Sequence, residues 1–392
     1  MCGVCEHPAV RGRPERLDRL PEQYFAGLLA RVAAAVTEHG DEVVDLGRGN
    51  PDVPPPPHVV ERLAEVAREP TSLVHGYAPF TGLPALKEAI AGRYRDVYGV
   101  ALDPAREVAV VPGTKTALVE LALCAAERGE TIVLPDPGYP DYTSAVALAA
   151  AREERVRLDP AAGWAPDLGA IAAPAPAALY PNYPSNPCAA CAPDGLFEDV
   201  VAWAAPRDTL VVHDFAYGDL VFDGRVPASF LAAEGAREVG VELFSMSKSY
   251  GMAGWRLGFV LGNAEVVARV ELLQDHVRAG IFRAVQEAGI AALTGPQDTV
   301  EERRALYERR RDRVLGALAA LVPEIRCDGS FYVWLRLPPG ATADGILAER
   351  RVALAPGEGF GPGGAGWARI SLATADDVLE AGLERLADAF RP

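Results

Sequence analysis

Long apolar runs are missing from this chain. The most apolar stretch, Ala145 to Ala151, is alanine-rich and far shorter than the ~20 residues a membrane-spanning helix needs. The opening residues, Met1-Cys2-Gly3-Val4-Cys5-Glu6-His7-Pro8, lack the apolar centre of a secretory signal. An excess of positive charge is missing too. The chain has 38 basic and 54 acidic side chains, a net charge of −16 that repels phosphate backbones and argues against nucleic acid as a partner. With neither membrane nor export signals, the chain is expected in the cytoplasm, where thiols stay reduced.

Cysteine is sparse, with six in 392 residues. Cys2/Cys5 and Cys188/Cys191 share Cys-x-x-Cys spacing, which invites a four-thiolate zinc site. Over 180 residues separate the two pairs, so free thiols are the better reading and no metal is expected. What is plentiful is core material: 49% of residues are hydrophobic. The length suits one large α/β domain with a smaller companion.

Residues 1–20 are charged and proline-rich, and read as a flexible arm. Phe25, Leu28, Leu29, Val32 and Val36 then recur at helical spacing between Pro21 and His39, stopped by Gly40. A short strand over Val43–Leu46 runs into the turn Gly47-Arg48-Gly49-Asn50-Pro51-Asp52. Pro54 to Pro57 continue that turn as a stiff extended segment. From there strands and helices alternate. Helices are expected over 83–98 and 115–128, and strands over 107–111, 131–134, 179–180, 209–213 and 242–245. That alternation predicts a mostly parallel sheet between helices. Continuous helical patterns follow over 264–293 and 297–321, then strands over 330–337 and 367–372 and a last helix from Ala375. The implied division is an arm and helix over 1–45 that packs with the smaller unit, a large domain over 46–293 and a small α+β domain over 294–392.

The segment Ser245-Met246-Ser247-Lys248-Ser249-Tyr250-Gly251-Met252-Ala253-Gly254-Trp255-Arg256 carries the most chemistry. A lysine amine forms a Schiff base with a carbonyl cofactor once it is desolvated or set beside other cations. Hydroxyls such as Ser245 and Ser247, with the fork of Arg256, are what a phosphate dianion needs. Together they describe a covalently anchored phosphorylated aldehyde, pyridoxal phosphate. An isolated Ser-x-Ser-Lys is more often a solvated loop, so the rest of such a site must be found elsewhere.

Ligands of open parallel sheets collect at the carboxyl ends of strands, and the missing parts sit at such ends. Gly113-Thr114-Lys115 opens a helix after a strand, where backbone amides and the helix dipole attract phosphate. Tyr139, in Pro135-Asp136-Pro137-Gly138-Tyr139-Pro140, can stack on a flat ring. Asp214 ends an apolar strand, and a buried carboxylate there needs a partner such as a protonated pyridine nitrogen. Tyr217 and Asn186 can reach the ring oxygen of the same cofactor. Arg369 lies in the apolar strand Trp367-Ala368-Arg369-Ile370-Ser371-Leu372, placed to take a planar carboxylate. The loop Gly357-Glu358-Gly359-Phe360-Gly361-Pro362-Gly363-Gly364 mimics a dinucleotide fingerprint only in glycine count, because it precedes a strand rather than a helix.

With these residues in place, the chain resembles the fold-type-I pyridoxal-phosphate enzymes of the class I/II aminotransferase family. The likeness rests on Gly49-Asn50-Pro51-Asp52, Tyr77-Ala78-Pro79-Phe80-Thr81-Gly82, Asp214-x-x-Tyr217, Ser245-x-x-Lys248, Arg256 and Arg369, and runs from about residue 20 to the C-terminus. It implies an aspartate-aminotransferase-like fold and a catalytic trio of Lys248, Asp214 and Tyr217. Cofactor contacts would come from Gly113, Thr114, Lys115, Tyr139, Asn186, Ser245, Ser247 and Arg256, and substrate contacts from Gly49, Asn186 and Arg369. Tyr77 would reach the phosphate in a partner subunit's site, which implies a homodimer with shared active sites acting on small amino and keto acids. His213-Asp214-Phe215-Ala216-Tyr217 and Gly280-Ile281-Phe282 are most similar to the LL-diaminopimelate and aspartate aminotransferase branch. The usual Asn-Pro-Thr-Gly reads Asn186-Pro187-Cys188-Ala189 here, and Phe215 replaces a common acidic residue. Asp275-His276-Val277-Arg278-Ala279 also departs from the family pattern. Arg278 or Arg283 is a candidate to recognise an anionic side chain, against a plain surface position on a helix. Two rivals share parts of this scaffold: a lyase of the 1-aminocyclopropane-1-carboxylate synthase type, and a regulator with a non-catalytic aminotransferase-like domain.

Overall fold

The computed structural model describes residues 12–391. Its strands, in chain order, are β1 Val44–Asp45, β2 Val108–Val111, β3 Thr131–Asp136, β4 Arg152–Asp159, β5 Ala165–Pro166, β6 Ala178–Leu179 and β7 Leu210–Asp214. They continue with β8 Gly240–Ser245, β9 Gly258–Gly262, β10 Ile325–Arg326, β11 Tyr332–Arg336, β12 Val352–Ala353, β13 Ala355–Pro356 and β14 Trp367–Ser371. Eight of them form one sheet in the order β2-β9-β8-β7-β6-β3-β4-β5. Its centre, from β8 to β4, is parallel, while β9 runs antiparallel to both neighbours and β5 antiparallel to β4. The smaller sheet, β10-β11-β14-β13, is antiparallel, and β1 pairs with β12.

Period-two alternation sorts the larger sheet's side chains between two apolar layers. On β2, Val108 and Val110 join the layer under the helix Pro84–Tyr98, and Ala109 and Val111 join the layer under Thr114–Ala125. On β9, Phe259 and Leu261 face the first layer and Val260 the second. Fully burying each such aliphatic or aromatic side chain stabilises the fold by ~1.5–3 kcal/mol. Glu242 breaks the apolar run of β8 without exposing itself. Its carboxylate accepts from Tyr94 Oη at 2.7 Å, Ser229 Oγ at 2.9 Å, the Phe230 amide at 2.8 Å and His213 Nδ1 at 2.8 Å. Saturated in this way, a buried carboxylate stitches β7 to β8 instead of destabilising them.

Register aligns the strand ends that matter. Val111 pairs with Gly258, Gly258 with Ser245, and Asp214 with Leu243 on the neighbouring strand. The turn after β2, the approach to β9 and the exits of β8 and β7 therefore share one edge of the sheet.

Several expectations need correction. Within the arm, Glu15–Asp18 forms a helical turn, and the part before Gly12 lies outside the described residues. Pro57 starts a helix, Pro57–Ala67, rather than extending the proline segment; a proline at the first helical position has no amide to waste. The pattern over 264–293 is two helices, Ala264–Val277 and Arg283–Thr294. Gly280 parts them at φ +83°, with its Cα packed so closely on the Ala78 and Pro79 carbonyls that a Cβ would lie 3.0 Å from each. The glycine-rich loop braces the end of β3: Gly363 N–H donates to Asp136 Oδ1 at 2.8 Å and Gly138 N–H to the Phe360 carbonyl at 2.8 Å.

Candidate active site

A cavity of about 500 Å³ opens at the shared strand edge. Thr114, Lys115, Ser245, Ser247, Lys248 and Arg256 line one side, with Asp214, Tyr217, Asn186 and Tyr139 around the middle and Gly49 near the mouth. The sequence scatters these residues over some two hundred positions, and the register of the sheet gathers them.

One corner of the cavity is built from backbone as much as from side chains. No side chain caps the helix Thr114–Ala125, so its first amides stay available at the positive end of the dipole. Gly113 precedes it at φ +84°, and a Cβ there would sit 2.2 Å from Arg256 Nη2. That missing methyl group is the space the guanidinium occupies. Arg256 itself holds φ +57° and donates to the Ala253 carbonyl at 2.8 Å. A non-glycine residue in the left-handed region costs ~1–3 kcal/mol, a strain found most often at functional sites. Hydroxyls, uncapped amides and an arginine fork in one corner can hold a phosphate dianion.

The chain has only three lysines. Lys87 pairs with Glu271 at 2.5 Å and Lys115 with Asp141 at 2.9 Å. Lys248 has no carboxylate partner among the described residues, and its Nζ lies 5.0 Å from the Phe331 ring centroid and 5.8 Å from that of Tyr217. Burial pulls its pKa down to about 8, the positive charges of Arg369 and Arg256 act in the same direction, and Asp214 opposes them. A desolvated amine lowered toward neutrality is a competent nucleophile and base.

Asp214 accepts from Tyr142 Oη at 2.7 Å and from the Ala216 amide at 3.2 Å, while Asn182 Nδ2 donates to its backbone carbonyl at 2.8 Å. Burial raises its pKa, and the Tyr142 and Ala216 hydrogen bonds, with His213 and Lys248, hold it down. Tyr217 Oη lies 3.4 Å from Tyr332 Oη, and burial raises its pKa well above the ordinary range. Asn186 is fastened by its amide to Asn182 Oδ1 at 2.8 Å, and its Oδ1 accepts from Arg369 Nη1 at 2.7 Å. The side-chain NH₂ of Asn186 is the group left to donate into the cavity.

Three expected residues do not line the cavity. Gly113 sits just behind it, against Arg256. Arg369 is fully buried behind Asn186 and Tyr332. It donates to the Gly47 carbonyl at 3.1 Å, its guanidinium stacks 3.9 Å over the Tyr332 ring, and its Nε has no partner among the described residues. Tyr77 is 89% exposed on another face. The two candidate side-chain readers also lie elsewhere. Arg278 is not at the surface: it turns inward to donate to the Val110 carbonyl at 2.8 Å, and burial lowers its pKa. Arg283 pairs with Glu287 at 3.0 Å, one helical turn on. Neither lines the cavity.

Sequence reasoning missed Tyr142, Tyr332, Asn182 and Arg48, all in or against the site. Tyr142 was available as the residue one helical turn beyond Tyr139, and Asn182 as the near neighbour of Asn186. For Tyr332 the sole signal was its glycine counterpart: a Cβ on Gly49 would lie 2.1 Å from Tyr332 Oη. The Cys188 and Cys191 thiols are free, and burial raises both pKa values. Cys2 and Cys5 lie outside the described residues.

Comparison with known proteins agrees with this geometry. An L-glutamine–4-(methylsulfanyl)-2-oxobutanoate aminotransferase of Bacillus subtilis is 43% identical over 94% of this chain and 94% of its own length. An LL-diaminopimelate aminotransferase of Moorella thermoacetica is 39% identical over 95% of this chain and 96% of its own. The substrate-bound structure of BacF from Bacillus subtilis superposes with a TM-score of 0.91 at 35% identity, covering 98% of this chain and 99% of that one. Residues 41–389 match the family model for aminotransferase class I and II. The chain belongs to the class I and II aminotransferases, a family of pyridoxal-phosphate-dependent enzymes.

Proposed function

We propose that this aminotransferase holds pyridoxal phosphate in the 500 Å³ cavity and uses Lys248 to move the α-proton of an L-amino acid. The observation that carries the reading is a half-buried lysine, without a carboxylate partner among the described residues, that lines one cavity with Asp214 and Arg256. When bound, the cofactor supplies a carbonyl carbon that takes up the amino group and a ring that accepts the electron pair released at the substrate Cα. The rest is the work of this chain's side chains. Thr114, Ser245, Ser247, Arg256 and the amides after Gly113 anchor the phosphate, with Lys115 adding positive charge. Tyr139 covers one ring face. Asp214 keeps a proton on the ring nitrogen, oriented by Tyr142. Tyr217 and Asn186 donate to the ring oxygen, and Arg369 with the Gly49 backbone positions the α-carboxylate. Lys248 Nζ takes the proton from the substrate Cα and redelivers it.

The division into a helix-bearing N-terminal segment over 1–45, a cofactor domain over 46–293 and a small domain over 294–392 belongs to this reading. Support comes from the pairing of β1 with β12, which ties the N-terminal segment to the C-terminal unit. So does a homodimer in the cytoplasm. Exposed Leu73, Tyr77, Val277 and Phe282 lie on segments that touch one another, with His75 and Phe282 rings 6.0 Å apart. Such a patch suits a second copy, and would carry Tyr77 toward the partner's phosphate. No helix among the described residues is long and apolar enough to cross a membrane.

The named relatives act on amino and keto acids, so an apolar 2-oxo acid such as 4-(methylsulfanyl)-2-oxobutanoate is a first acceptor to assay, with glutamine as donor. The deciding experiment incubates holoenzyme with single L-amino acids and follows conversion of bound pyridoxal phosphate to pyridoxamine phosphate. Conversion supports amino transfer. Its absence with every donor, together with side-chain loss from S-adenosylmethionine, would establish the lyase instead.

A further inference from the structure

Four cationic side chains, Arg48, Lys115, Lys248 and Arg256, line the cavity against a single carboxylate, Asp214. Three of the cations are accounted for. Lys115 is paired with Asp141 at 2.9 Å. Arg256 is tucked against Gly113 beside the uncapped helix amides, where the phosphate belongs. Lys248 is the nucleophile. Arg48 is different: it is exposed, and the one bond it forms among the described residues is from its backbone N–H to Asp45 Oδ1 at 3.2 Å.

The backbone under Arg48 is firmly held. Asp45 Oδ1 also accepts the Gly47 amide at 2.9 Å, and the Gly47 carbonyl accepts from Arg369 Nη2 at 3.1 Å. Arg48 therefore directly follows the residue that the buried Arg369 holds. Across the mouth stand Phe25, Leu28 and Leu29 of the helix Tyr24–His39. A guanidinium's planar fork matches a carboxylate bidentately, and that of Arg48 is free of any partner among the described residues.

Building on the amino-transfer reading above, we infer that Arg48 is a specificity residue that receives the distal carboxylate of a dicarboxylic substrate, an amino dicarboxylate or its 2-oxo partner. The apolar wall then serves substrates without that second charge. The uncommitted positive charge of Arg48 draws the distal carboxylate in and decides which side chain is held.

The test uses holoenzyme of the wild type, Arg48→Gln and Arg48→Lys. Glutarate and pentanoate are the binding probes, equal in length but differing by one carboxylate, with affinities read by calorimetry. Wild type should prefer glutarate, and Arg48→Gln should cut that preference roughly 10- to 100-fold, the range for losing a charge-assisted hydrogen bond; Arg48→Lys should restore part of it. In turnover, the KM ratio between 2-oxoglutarate and 4-(methylsulfanyl)-2-oxobutanoate should shift by a similar factor. An unchanged glutarate preference in Arg48→Gln, with amino transfer intact, overturns the role of Arg48 alone. Failure of the wild type to form pyridoxamine phosphate with any donor overturns the underlying reading, and that result is independent of Arg48.

Discussion

Replacing the central lysine by methionine should make the cofactor-free protein more stable at neutral pH. Lys248 is half-buried and desolvated by its surroundings, and its pKa falls from the ordinary 10.5 to about 8. Below about pH 8 the folded state must carry a desolvated cation under the influence of Arg369 and Arg256, whereas the unfolded chain carries the same charge in water. That gap, at about 1.4 kcal/mol per pH unit, destabilises the folded state by roughly 3 kcal/mol at pH 7. Between about pH 8 and 10.5 the folded state is neutral while the unfolded chain still binds a proton, so stability rises with pH. The cost drops to about 2 kcal/mol at pH 9 and below about 1 kcal/mol at pH 10. The rings of Phe331 and Tyr217 near Nζ offset part of it, ~0.5–1 kcal/mol each. Methionine fills the lysine stem's space and suits the same two rings, leaving a gain of about 1–2 kcal/mol at pH 7. With an unfolding entropy of roughly 2 cal/mol/K per residue over 392 residues, Tm should rise by roughly 1–3 °C. Melting curves of cofactor-free wild type and Lys248→Met across pH 7–10 measure this, and the difference between them must shrink as pH rises. A difference that stays constant with pH, or a variant less stable at pH 7, would refute the assignment of a desolvated lysine with a depressed pKa.

Tyr142→Phe removes a hydrogen bond that favours the charged form of Asp214, so the acid limb of the kcat/KM profile should move to higher pH. The rate should fall roughly 10- to 100-fold, as for other lost hydrogen bonds to charged groups; an unmoved limb would make Tyr142 a packing residue only. Gly113→Ala places a Cβ where Arg256 Nη2 now sits, and should weaken cofactor binding at least ~10-fold by displacing a charge-assisted contact. Equilibrium dialysis with pyridoxal phosphate reads that loss, and unaltered affinity would show that Arg256 does not hold the phosphate. Mixing Lys248→Ala with Tyr77→Ala subunits should recover activity that neither homodimer has, because one hybrid site has both residues intact. Recovery fails if each subunit's site is self-contained.

Where the sequence was legible, strand ends explain why. Asp214, Ser245 and Lys248 follow short apolar strands, and parallel strands must deliver their carboxyl ends to one edge. The sheet's outer parts were harder to read. β4, Arg152–Asp159, is so charged on its solvated face that its alternation is nearly hidden. β9 opens on glycine directly after the lysine segment and reads as part of that loop. The break at Gly280 was invisible for another reason: periodicity on both sides stays helical, and what parts the helices is the approach of distant carbonyls at Ala78 and Pro79. Arg278 was misplaced with it, since turning the chain there sends its guanidinium under β2.

The same distinction separates the two kinds of residue around Lys248. Those that touch a bound molecule must offer particular atoms at particular places, and such demands leave motifs: Ser-x-x-Lys, Asp-x-x-Tyr, an arginine in an apolar strand. Those that set the lysine's basicity act through space and leave none. Arg369 belongs to both groups: its place in an apolar strand is legible, but its lowering of the Lys248 pKa from 121 residues away is not. Tyr142 steadies Asp214 from 72 residues away through one hydroxyl. Burial, the largest influence on Lys248, belongs to no residue at all. The chemical identity of this site is therefore local in sequence, while its tuning is a property of the assembled fold, and substitutions that alter rate without altering binding should fall among the second group.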